Sequence, residues 1–143
     1  MTNTRTAHRK ILLINGHPDP HPDRLCSALA TAYGEGAQAA GHQVRRIEVG
    51  GLSLPPITSQ ADFLGPVTPE VEDIQAAVRE ADHLVMIYPL WLGAPPAVFK
   101  AFLEQVFRYG LALAAPGEAK GVKGLLGGRS ARVVVTMGMP GFI

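Results

Sequence analysis

Between residues 15 and 27 the chain reads NGHPDPHPDRLCS, a cluster of imidazole, carboxylate, guanidinium, thiol and hydroxyl groups just ahead of a segment with helical spacing. At a helix start the backbone N–H groups near Arg24 to Ser27 lack partners within the helix, and with the positive end of the helix dipole they form an anion site. His17, Arg24 and Ser27 add side-chain donors, so the chemistry offered is capture of a phosphate where His17 and the backbone converge, on a loop whose path the prolines fix. The competing reading makes Asp23 a helix cap and His17 a solvent-facing turn residue. Cys26 has the helix-start position of a reactive thiolate, but a C-x5-R phosphatase would need arginine where the chain has Ala32, so a small packing residue is the better reading. His17 and His21 stand four apart near Asp19 and Asp23, yet a loop broken by proline does not put them on one face as a helix would, so no metal site is expected.

A second cluster, YPLWLGAPP, covers residues 88–96. Pro89 stiffens it, Gly93 allows a close backbone approach, and Trp91 with Leu92 offers a surface for a flat apolar ligand whose polar edge the loop amides could bond. A plain core or contact role for Trp91 is the alternative. A third stretch, TMGMPGF from Thr136, supplies Gly138 and Gly141 for further backbone contacts. No G-x-G-x-x-G follows the first apolar run, GVKGLLGGRS lacks the G-x-x-x-x-G-K-[ST] spacing, and the first and third runs end at Asn15 and at Tyr88–Pro89 where a receiver domain needs carboxylates.

The elements that must carry these clusters follow from the apolar pattern. Residues 10–15, 83–88 and 130–137 are short runs of Ile, Leu and Val without alternation, as in parallel strands buried on both faces. HQVRRIEV is a further strand whose Arg45, Arg46 and Glu48 suit an edge. Helical spacing appears at Leu25, Ala28, Leu29, Ala32 and Gly36, and again at Val71, Ile74, Val78 and Ala81. From Ala97 to Arg108 the stripe Val98, Phe99, Phe102, Leu103, Val106 and Phe107 faces a sheet, while Lys100, Glu104 and Arg108 lie opposite, with Glu104 and Arg108 spaced as an i,i+4 pair. Alternating strands and helices with right-handed crossovers give a three-layer α/β/α sandwich of flavodoxin-like type, strand order 2-1-3-4. Its ligand site belongs beyond the carboxyl ends of strands one and three, where the strand order reverses, and all three clusters fall on that edge. Residues 50–69 and 109–129 are read as long loops, residues 1–9 as a disordered tail and 10–143 as one domain.

Composition narrows the class. With 143 residues, formal net charge +1 and 47% hydrophobic content, nothing suggests a nucleic-acid partner or a disordered chain. One cysteine and no apolar run of membrane-spanning length point to a cytoplasmic protein without membrane insertion.

GHPDPHPDRLCSAL, PLWLGAPPAVFKAFLEQVF and VVVTMGMPG resemble, in that order and spacing, the NAD(P)H:quinone oxidoreductase family of flavodoxin-like flavoproteins, near the bacterial NAD(P)H dehydrogenase (quinone) group. The resemblance covers residues 10–141. It implies a bound FAD or FMN, with His17, Arg24, Leu25, Cys26 and Ser27 at the phosphates. Pro89, Leu90, Trp91, Leu92 and Gly93 would lie along the isoalloxazine, and Thr136, Met137, Gly138 and Met139 at its pyrimidine side. It further implies ping-pong hydride transfer from NAD(P)H to a quinone-like acceptor without a side-chain acid or nucleophile, and a homodimer. Family members continue past the GMPG loop into a further helix and a fifth strand that this chain lacks, so a flavin-binding or regulatory module without turnover is the alternative.

Overall fold

The computed structural model describes residues 7–115, 117–118 and 123–138. Four parallel strands, β1 (Lys10–Asn15), β2 (Gln43–Glu48), β3 (His83–Pro89) and β4 (Ser130–Thr136), form one sheet in the order β2-β1-β3-β4. This is the expected flavodoxin-like order. Helices α1 (Leu25–Ala39), α2 (Gln60–Leu64), α3 (Pro69–Glu80) and α4 (Ala97–Val106) connect them. Among the described residues no helix is long and apolar enough to cross a membrane.

Two apolar clusters sandwich the sheet. On one face Leu12, Ile14 and Leu84 pack with Val71, Ile74 and Val78 of α3 and with Phe99, Phe102 and Val106 of α4. On the other, Ile11, Leu13, Val85 and Ile87 pack with Cys26 and Ala30 of α1. Successive residues of β1 and β3 thus feed opposite faces, which is why these strands read as continuous apolar runs. α3 begins with Thr68 accepting from the Val71 N–H, Pro69 at the first turn, and Glu70 and Glu72 at the positive dipole end.

Four details depart from expectation. β4 is not buried on both faces: it is the sheet edge among the described residues, with Val133 55% and Val135 40% exposed. Within 50–69 the chain forms a 3-10 turn, Val49–Gly51, and the short α2, which Ser59 starts by accepting from the Asp62 N–H. Asp62 in turn accepts from Thr58, so hydrogen bonds from Ser59 and Thr58 lower its pKa. Third, α4 stops at Val106, and Arg108 leaves the outer face of the helix to become buried, so Glu104 pairs with Lys100 at 2.7 Å instead. Finally, Val98 is 43% exposed and does not join the buried stripe. Of the expected N-terminal tail, residues 1–6 lie outside the described residues, whereas His8 bonds the Gly41 carbonyl and Arg9 both donates to His42 and accepts from the Gln43 N–H.

Candidate functional site

The loop after β1 is organised by an alternation. Proline occupies positions 18, 20 and 22, where no N–H exists to satisfy, and the residues between carry side-chain acceptors. The His17 N–H donates to Asn15 Oδ1 at 3.2 Å, and the Asp19 N–H to His17 Nδ1 at 3.0 Å. The His21 N–H donates to Asp19 Oδ1 at 3.0 Å, and the Asp23 N–H to His21 Nδ1 at 3.3 Å. Each is a side chain bonding the backbone two residues on, the geometry of an Asx turn. The Gly16 N–H reaches the Ile87 carbonyl at 2.7 Å and that of Arg24 the His21 carbonyl at 3.1 Å, so every N–H from 16 to 24 is used. Stiffness here is the satisfaction of every loop N–H, all but that of Gly16 by local partners.

The donors left for a ligand therefore begin in the first turn of α1. Arg24 occupies the N-cap position without capping through its side chain, and the first turn holds no acidic residue. Asp23 does not cap the helix; its N–H is instead bonded to His21. Leu25 is 62% exposed, whereas the Cys26 and Ser27 side chains are buried and offer a ligand only their backbone N–H groups. Cys26 Sγ lies 3.3 Å from Thr136 Oγ1, tying α1 to the end of β4, and Ser27 Oγ accepts from Asn15 Nδ2 at 3.2 Å. Arg24 is engaged by Asp19 through Nε at 2.8 Å and Nη2 at 2.5 Å. That hydrogen bonding from Arg24, with the His21 N–H second, holds the Asp19 carboxyl below its ordinary pKa.

Asn15 went unread as a site residue, yet it is fully buried and joins three elements. Its Oδ1 takes the His17 N–H while its Nδ2 donates to Ser27 and to Glu48 Oε2 at 2.7 Å. The signal was present: a polar amide ending an apolar strand and opening the loop. Beneath the same loop a methyl group on Gly50 would sit 2.1 Å from the Pro18 carbonyl oxygen, so the 3-10 turn fits there only as glycine.

The loop after β3 is a miniature hairpin. Trp91 and Ala94 exchange backbone hydrogen bonds at 2.9 and 3.0 Å, with Leu92 at φ 50° and Gly93 at φ 77° between them. Positive φ at both central positions is what a type I′ turn requires. For leucine this conformation costs roughly 1–2 kcal/mol. The strain displays Leu92 wholly to solvent, beside a Trp91 that is 49% exposed. Pro89 is buried at the end of β3, and Leu90 donates to the Thr136 carbonyl at 2.7 Å. Met137 and Gly138 are exposed at the same edge, and Met139 lies outside the described residues. The His17 and Trp91 rings meet edge to face with centroids 5.8 Å apart, which joins the first loop to the second across the gap between β1 and β3.

A family model described as flavodoxin-like fold matches residues 9–143. The chain belongs to this flavodoxin-like family. Among curated relatives, this flavodoxin-like protein is 28% identical over 109 residues to the NAD(P)H oxidoreductase YcaK of Escherichia coli K12, covering 72% of this chain and 55% of the relative. The NAD(P)H:quinone oxidoreductase from Methanothermobacter marburgensis superposes with a TM-score of 0.78 at 22% identity, over 94% of this chain and 70% of that one. An FMN-dependent NADH-azoreductase from Bacillus anthracis, solved in complex with FMN, gives 0.66 at 18% identity, over 90% and 69%. At these identities the two structures show a shared fold. The chain spans about 55–64% of the length of the curated relatives it matches.

Proposed function

We propose that this flavodoxin-like chain binds a flavin, FAD or FMN, across the carboxyl edge of its sheet and acts as an NAD(P)H dehydrogenase of quinone-like acceptors. The observation that carries the reading is the His17–Trp91 contact. It brings the first loop against a strained and exposed apolar hairpin suited to a flat ring, while the Cys26–Thr136 and Leu90–Thr136 contacts tie the uncapped helix start, suited to a phosphate, to the same edge. The names of the similar proteins, NAD(P)H and quinone oxidoreductases and an FMN-dependent azoreductase, support the same chemistry.

The donor set fits the group. The first-turn N–H groups of Leu25, Cys26 and Ser27 point the helix dipole at a phosphate, and His17, whose Nδ1 is occupied as an acceptor, retains Nε2–H as a donor. Trp91, Leu92 and Gly93 would cover one side of the ring system, and the backbone of Thr136 to Gly138, with Met139 beyond, would meet its polar rim. A bound flavin supplies the redox chemistry, taking a hydride from NAD(P)H and passing it to the acceptor in a ping-pong cycle. The chain's own task is to hold the ring system at a fixed height against the strand ends and to keep water from its covered face. Nothing in that task calls for a side-chain acid or nucleophile. The same reading makes the protein a cytoplasmic homodimer.

The test is flavin binding followed by turnover: visible absorption of the protein after incubation with FAD or FMN and gel filtration, then NADPH oxidation with a benzoquinone. Retained flavin with turnover is the expected result; retained flavin without turnover would make the protein a binding module, and no retention would end the proposal. Trp91→Ala should weaken flavin about tenfold, the loss of one aromatic contact of about 1.4 kcal/mol. Because Trp91 is half exposed, denaturation midpoints should hardly move, and an unchanged flavin affinity would remove this loop from the site.

Asp19→Asn separates the two roles of the first loop. The amide oxygen still accepts from the His21 N–H, but the charge that holds Arg24 is gone. Flavin affinity is then expected to rise several-fold as Arg24 turns to the phosphate. A fall or no change in isothermal titration would show that Arg24 serves the loop alone.

A further inference from the structure

At the opposite end of the sheet, about 20 Å from the candidate flavin edge along strands of this length, a cavity of about 360 Å³ opens between the N-terminal ends of the strands and α1. Arg9, His42, His83 and Arg132 line it together with Tyr33. Among the described residues neither Arg9 nor Arg132 is paired with a carboxylate. Arg132 lies with its guanidinium carbon 5.8 Å from the centre of the Tyr33 ring, a contact that braces the cation and leaves its N–H edges for another partner. His42 Nδ1 accepts the Arg9 N–H at 3.2 Å, so its Nε2 carries the proton as a donor. His83 Nδ1 is engaged by Ser130 Oγ at 2.7 Å, which fixes the ring and leaves Nε2 free of that bond.

We propose that this cavity is a second binding site, for a phosphate-bearing anion. Two guanidinium groups without carboxylate partners, with the His42 Nε2–H beside them, form a donor-rich set with no carboxylate among its lining residues, and a tetrahedral dianion matches guanidinium forks better than a halide does. The nearest acidic side chain in sequence, Asp82, is turned to the Lys10 N–H at 2.8 Å and does not line the cavity. Burial first, and then the charges of Arg132 and Arg9, push the His83 pKa below its ordinary value, which places both cations within electrostatic reach of that ring. An anion seated among them reverses this field. The site is independent of the flavin reading, since it shares no residue and no strand end with it.

The experiment is a titration of the whole protein with inorganic phosphate, following the His83 ring proton by NMR across pH, with sodium chloride at matched ionic strength as the control. A saturable response at low-millimolar phosphate, with the His83 titration midpoint moving up by half a unit or more, is the expected result. Arg132→Gln, on an exposed edge strand, should keep the fold and weaken that response at least tenfold. A response equal to that of chloride, or one that Arg132→Gln leaves unchanged, would overturn the proposal. If the Arg132 variant loses its fold, Arg9→Gln is read in its place with the same two outcomes.

Discussion

Asn15→Leu is expected to lower stability by about 3 kcal/mol and to loosen the whole first loop. The side chain has no exposed surface, and leucine repeats its branched outline with bulkier methyl groups, so a packing cost adds to the polar one. What is lost are three hydrogen bonds, which leaves the His17 N–H, the Ser27 hydroxyl and the Glu48 carboxylate short of a partner. Ser27 is buried and Glu48 is partly so, and an abandoned buried polar group costs about 1–3 kcal/mol. The expected fall in Tm is about 10 °C. Since Asn15 Oδ1 is also the first acceptor of the alternating ladder through His17, Asp19 and His21, amide exchange at His17 should speed up well beyond the global loss of stability. Asn15→Asp keeps that acceptor but sets a carboxylate beside Glu48, so it should retain loop protection while still losing stability. A stability loss below about 1 kcal/mol for Asn15→Leu would show that water can replace the clamp.

Arg108→Met should cost about as much, roughly 3 kcal/mol, by a different route. Arg108 is 5% exposed and has no carboxylate partner among the described residues. It is held by oxygens instead: Nη1 donates to the carbonyls of Asp62 at 3.1 Å and Gly65 at 3.2 Å, and Nε to that of Gln105 at 3.1 Å. Nη2 donates to the Gln105 side chain. These carbonyls close the ends of α2 and α4, so the cation sits where two helix dipoles are negative. Methionine fills the space of the stem and supplies no donor. Segment 55–66 should then become the first site of limited proteolysis, whereas Arg108→Lys, with one compact ammonium in place of a fork, should recover only part of the loss. An Arg108→Met protein that resists urea and protease like the parent would refute the strap.

These two residues also mark where the sequence could and could not be read. The sheet order was legible because β1 and β3 are continuous apolar runs and β2 carries Arg45 and Arg46, so only one strand could be the polar edge. The candidate edge followed from topology, and the His17 and Trp91 rings meet there, beside the exposed Leu92. Arg108 was misplaced because a 3.6-residue period continued past the point where Phe107 leaves helical geometry, with ψ 42°. Hydrophobic periodicity carries no information about that stop, and a buried cation satisfied by carbonyls has no sequence partner to betray it. The ladder after Asn15 was visible as letters, prolines alternating with side-chain acceptors, but seeing it requires asking where each N–H goes. The inward turn of Cys26 and Ser27 depends on the helix phase set by contacts with Thr136 and Asn15, which lie far away or at the strand end.

The exposed hairpin has a calorimetric consequence. Leu92 lies wholly in water and Trp91 half so, and Leu92 returns no burial to the folded protein while it is held in a strained turn. Covering a leucine side chain releases about 2 kcal/mol of apolar hydration. A ligand that lies on this surface should therefore bind with a negative heat-capacity change, its enthalpy growing more favourable as the temperature rises, whereas an anion held by Arg9 and Arg132 at the far end of the sheet should show almost none.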